Sequence, residues 1–111
     1  MPVELRPFPR PDWSPVPAEG ATGVDSRALL REDYLFVAQL RFAEHAAIHE
    51  HPSPNRIVVL CLEGAGFTSV GVERSPISAG QQADWPPNVP HRLWTDDSPM
   101  QTLMIERPST E

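Results

Sequence analysis

Between Val24 and Ile105 the apolar segments are short, and polar, glycine or proline clusters cut each one off. That punctuation excludes long helices and leaves the short strand as the repeating unit. Val24–Leu30 runs into the polar turn Arg31-Glu32-Asp33. Tyr34–Phe42 alternates, with Tyr34, Phe36, Ala38, Leu40 and Phe42 on one face and Gln39 and Arg41 on the other. Ile57–Leu62 is continuously apolar, as suits a strand buried on both faces, and ends at Glu63-Gly64-Ala65-Gly66. Phe67–Val72, Gln81–Trp85, His91–Trp94 and Met100–Ile105 follow. Glu73-Arg74-Ser75-Pro76, the rigid loop 86–90 and Asp96-Asp97-Ser98-Pro99 lie between them. The pattern predicts an all-β sandwich or barrel.

Fourteen of the 111 residues are proline, and Pro2, Pro7, Pro9, Pro11, Pro15 and Pro17 crowd the start. Such a stretch forms neither a helix nor a central strand. The sequence therefore divides into a proline-rich arm over 1–23, which Phe8 and Trp13 would pin to a surface, and one domain over 24–111. A chain of this length holds a single modest core.

A net charge of −6 with no basic stripe excludes nucleic acid as a partner, because phosphate backbones are met by clustered cations. All nine cations are arginines, which removes any lysine-based mechanism. No apolar run approaches the ~20 residues of a membrane span. The first residues lack the apolar stretch of a signal peptide, so a cytoplasmic protein without membrane attachment is expected. The single cysteine, Cys61, lies in the apolar run IVVLCL and reads as core.

Four histidines carry the chemistry: His45, His49, His51 and His91. In a regular strand His49 and His51 share a face, roughly 6.6 Å apart, a gap that two imidazoles can bridge to one ion. His45 lies roughly 13 Å from His49 on the same rise and is left out. His91, directly after Pro90, can reach the same cavity from a neighbouring strand. Glu50, between the paired histidines, points outward by the same alternation.

The stretch HEHPSPNRIVVLCLEGAG resembles the first motif of the cupin superfamily, with its His-x-His and its strand ending in a glycine turn at Glu63-Gly64. GQQADWPPNVPHRLW resembles the second, with Gly80, Pro86 and His91 matching in type and spacing. Asn88 stands where that motif has glycine, and Thr95 where it has asparagine. The resemblance covers about residues 34–106 and implies a small double-stranded β-helix barrel, a homodimer and a divalent transition metal. His49, His51 and His91 would be its ligands. The glutamate that usually completes the first motif would fall at Asn55, Arg56 or Ile57, and none is acidic. Three neutral imidazoles can still hold Zn²⁺, Fe²⁺, Ni²⁺ or Cu²⁺, more weakly than with the acid.

Trp85, Trp94 and Arg56 are the candidate substrate-binding residues, the two tryptophans shaping a pocket mouth and Arg56 adding positive charge if it faces inward. Two functions compete. One is a metal-dependent enzyme on a small molecule, of the dioxygenase or isomerase kind that the resemblance implies. The other is a non-catalytic cupin that binds a small molecule with its metal site weak or vacant. The missing acid supports the second, and a purely structural homodimeric domain is a third reading, but the histidine pattern leans to a metal-binding cupin of unassigned activity.

Overall fold

A computed structural model describes residues 2–8 and 12–108. Eight strands and no helix occur among them: β1 (Ser14–Pro15), β2 (Ala21–Glu32), β3 (Leu35–His51), β4 (Arg56–Val70), β5 (Glu73–Ser78), β6 (Gln82–Trp85), β7 (His91–Trp94) and β8 (Met100–Arg107). The all-β expectation holds. Among the described residues no helix is long and apolar enough to cross a membrane.

Two long strands build the barrel, because each bends and gives its halves different partners. β3 lies against β8 over Phe36–Phe42 and against β7 over Ala47–His51. β4 lies against β8 over Arg56–Gly64 and against β7 over Phe67–Val70. β8 and β7 thus bridge the same two strands from opposite ends, which closes the sheet on itself. β2 flanks β3, while β5 and β6 flank β4.

Both bends have local causes. β3 turns at His45, whose φ is 55°. Thr95, in the place of the motif asparagine, holds this bend: its hydroxyl donates to the Ala43 carbonyl at 2.6 Å and accepts from the Ala46 amide at 3.0 Å. β4 bends at Gly64 (φ 78°), beside a bulge between Cys61 and Glu63. A Cβ on Gly64 would run into the Pro99 carbonyl, so a side chain has no room there. The expected turn at Glu63–Gly66 is therefore corrected: the glycine bends the strand and does not end it. Asn88 also has a positive φ of 65°, a conformation that asparagine tolerates better than most residues, so it can replace the motif glycine.

Other expectations are corrected too. Glu73–Pro76 belongs to β5, and the chain reverses one step earlier at Gly71 and Val72. Tyr34 sits in the β2–β3 turn, exposed, instead of sharing the face of Phe36. Within the proline-rich segment Ser14 and Pro15 pair with β2, Pro15 lying on an edge strand where its missing N–H costs no ladder bond. Trp13 packs under the guanidinium groups of Arg27 and Arg41, each 4.4 Å from its ring, and ties the arm to the wall. Pro9 and Pro11 lie outside the described residues.

Inward positions of the strands form the core, with Phe42, Val59, Leu93 and Met100 almost wholly buried. Cys61 is buried among them, and burial pushes its thiol up and away from reactivity. Thr102 is the odd member, its hydroxyl enclosed without a hydrogen-bond partner. Burying an unpaired hydroxyl is unfavourable, so Thr102→Val is expected to be neutral or to stabilise by up to about 1 kcal/mol in urea unfolding. A clear loss of stability would mean that the hydroxyl has a partner.

Candidate ligand cavity

The strand register lays side chains in rows across the barrel wall. Arg31 on β2 stands opposite Phe36 on β3, and Phe36 opposite Glu106 on β8. Glu106 stands opposite Ile57 on β4, and Ile57 opposite Trp85 on β6. All five line one cavity of about 580 Å³. The next row contributes Ala28, Ala38 and Met104. Its two facing alanines leave the space that larger side chains would fill. Ser26 and Leu40 follow below, and Ile48, His51 and His91 complete the wall from the other half of the barrel.

His91 is the polar centre of this wall. It sits on β7 between His51 of β3 and Val70 of β4, only 1% exposed. Its ring lies flat on Trp85, with centroids 4.0 Å apart and planes 11° apart. It meets His51 edge-on, at 4.7 Å and 71°. Burial first, and then the neighbouring His51, lower its pKa from 6.5 to about 4. The Val89 carbonyl opposes this shift slightly, yet neither ring nitrogen makes a hydrogen bond of regular geometry. His91 is therefore a neutral imidazole at physiological pH, with both nitrogens enclosed and neither in a hydrogen bond of regular geometry.

Its neighbours are held in place. The Trp85 indole N–H donates to the Thr68 hydroxyl at 3.0 Å, which donates in turn to the Arg92 carbonyl at 2.9 Å. His51 Nδ1 lies 2.8 Å from the His49 carbonyl. A carbonyl only accepts, so Nδ1 carries the hydrogen of that contact.

Neither the protein-family models nor the curated proteins match this chain. Solved structures do. A cupin-like protein from Thermotoga maritima superposes with a TM-score of 0.80 at 21% identity, over 90% of this chain and 79% of that one. The chain has the cupin fold. The polyketide cyclase RemF from Streptomyces resistomycificus gives a TM-score of 0.79 at 15% identity, over 98% of this chain and 81% of its own. KdgF from Halomonas sp. gives 0.79 at 16% identity, over 88% of both chains.

The cupin barrel brings His51, His91 and Trp85 together and leaves His49, Trp94 and Arg56 apart from them. Ile48 stands opposite Leu93 and His51 opposite His91, so β3 takes three steps where β7 takes two. The extra residue is a bulge, and it reverses the alternation. Ile48 and His51 consequently both line the cavity. His49 does not; its Nε2 lies 3.0 Å from the Thr22 hydroxyl on β2. The expectation that His49 and His51 share a face is thus corrected. Among the described residues no three His, Cys, Asp or Glu side chains gather so as to hold a metal ion. Asn55, in the region of the motif acid, donates to the Glu106 carboxylate at 2.6 Å. With His49 turned away and the His91 nitrogens enclosed, the residues present do not fit the three-histidine centre.

Trp94 is on the outer wall, where it stacks on Phe67 at 5.7 Å and lies under the Arg92 guanidinium at 4.5 Å. Arg56 opens β4 opposite Arg107, exposed and off the cavity lining. The sequence reading missed Arg31, Met104 and Glu106 as cavity residues. A bulge between Ala28 and Leu30 carries β2 on through Arg31, where the polar run Arg31-Glu32-Asp33 predicts a turn. A smaller cavity of about 370 Å³ opens elsewhere, lined by Asp25, Arg41 and Glu63 among others, but its Arg41–Asp25 pair is already closed at 3.0 Å.

Proposed function

We propose that this cupin binds a small, mainly apolar organic molecule in the barrel cavity, without a resident three-histidine metal. The observation that carries the reading is the cavity itself. Its about 580 Å³ lie in the range of small-molecule sites, and Phe36, Leu40, Ile48, Ile57, Trp85 and Met104 give it an apolar lining. The few polar groups, His51 above all, would orient the ligand. The polyketide cyclase among the structural relatives is in keeping with a barrel that admits an organic molecule, but the likeness is one of fold.

A neutral apolar probe tests this. N-phenylnaphthylamine is expected to bind saturably at one site per chain, with rising fluorescence, and equally well after treatment with a chelator. Ala28→Trp, which fills the cavity from β2, should abolish that binding while leaving the circular dichroism spectrum unchanged. Binding that survives in this variant would place the probe elsewhere and remove the support for the cavity.

A further inference from the structure

We infer that the cavity selects a carboxylate with an apolar body, and that Arg31 reads the anionic end. This rests on the cavity being the ligand site. Arg31 and Phe36 stand opposite each other at the end of the row that crosses the cavity to Trp85. The Arg31 guanidinium lies 4.6 Å from the centre of the Phe36 ring. That stacking holds the group over the apolar lining while its N–H edges stay available. Among the described residues the Arg31 guanidinium makes no ion pair and no hydrogen bond. It is a positioned, uncompensated cation on a protein whose net charge is −6.

The other charged groups on the wall are differently placed. Arg27 is engaged, donating from Nε to Gln39 at 3.0 Å and packing on Trp13. Glu106 lies on the far side of Phe36 from Arg31 and accepts from Asn55. It repels an anion from that side and so directs the carboxylate towards Arg31. The hydrocarbon part then lies against Phe36, Ile57, Met104 and Trp85. A planar carboxylate matches a guanidinium through two parallel hydrogen bonds, a pairing that an alcohol or an amine cannot reproduce.

Three ligands of one shape decide it: phenylbutyrate, phenylbutanol and phenylbutylamine, titrated by calorimetry at neutral pH. The parent is expected to bind the acid about tenfold more tightly than the alcohol, the value of one charge-assisted contact, and more tightly than the amine. Arg31→Gln should erase the preference for the acid, bringing acid and alcohol to equal affinity. Arg27→Gln should preserve that preference. Equal binding of acid and alcohol by the parent would overturn the inference, and so would a preference that survives in Arg31→Gln. Binding of the alcohol without selectivity sinks only the role of Arg31. Failure of all three ligands to bind counts against the cavity as a ligand site, and against this inference with it.

Discussion

Trp85→Ala is expected to cost about 4 kcal/mol of folding stability, more than a change at any residue of the outer wall. The indole is fully buried, and its removal empties a large volume beside the cavity that the surrounding strands cannot refill. It also strips His91 of its stacking face and leaves the Thr68 hydroxyl without its donor. Trp94→Ala serves as the comparison, since Trp94 is half-buried outside the barrel and should cost markedly less. Urea unfolding of both variants measures the difference. Similar losses in the two would mean that Trp85 is not the centre of the packed wall.

The second large effect depends on pH. His91 has a pKa near 4 in the folded chain, below its ordinary 6.5, because burial penalises the charged ring. At pH values above 6.5 the ring is neutral in both states, and it contributes no pH dependence. As pH falls from 6.5 towards 4, the unfolded chain takes up the proton and the folded chain does not, so stability falls. Below about 4 both states are protonated and the loss levels off at about 3 kcal/mol. His91→Phe keeps a ring on Trp85 and removes both ring nitrogens. It is expected to flatten that acid limb while holding or raising stability at neutral pH. Denaturant curves collected across this pH window test the pair of variants. An acid limb of equal depth in His91→Phe would assign the effect to other groups.

The barrel was legible where alternation or an uninterrupted apolar run made a strand. Phe36, Ala38, Leu40 and Phe42 share the inner face as their spacing requires. The bends were not legible, because the residues that mark a turn also mark a kink. Gly64 and its bulge were read as a strand end, and only the Pro99 carbonyl beside it shows why the chain continues. The site was half legible for the same reason. His51, His91 and Trp85 were picked out and do stand together. His49 was placed by an unbroken period of two, and one extra residue after Ile48 undoes that period with no glycine or proline to announce it. Trp94 was avoidable: the alternation that turns Arg92 outward from His91 carries Trp94 outward as well. Arg31 depended on a second bulge, between Ala28 and Leu30, which leaves no sequence mark either.

The arrangement of the histidines has a direct test in calorimetric titration of the parent, His49→Ala and His91→Ala with Zn²⁺ and Ni²⁺. With His49 turned towards Thr22 and His91 enclosed against Trp85, the expected result is the same weak, unsaturated response in all three proteins. One-to-one binding in the parent that is lost in both variants would contradict it, because that pattern requires both side chains to reach the same ion.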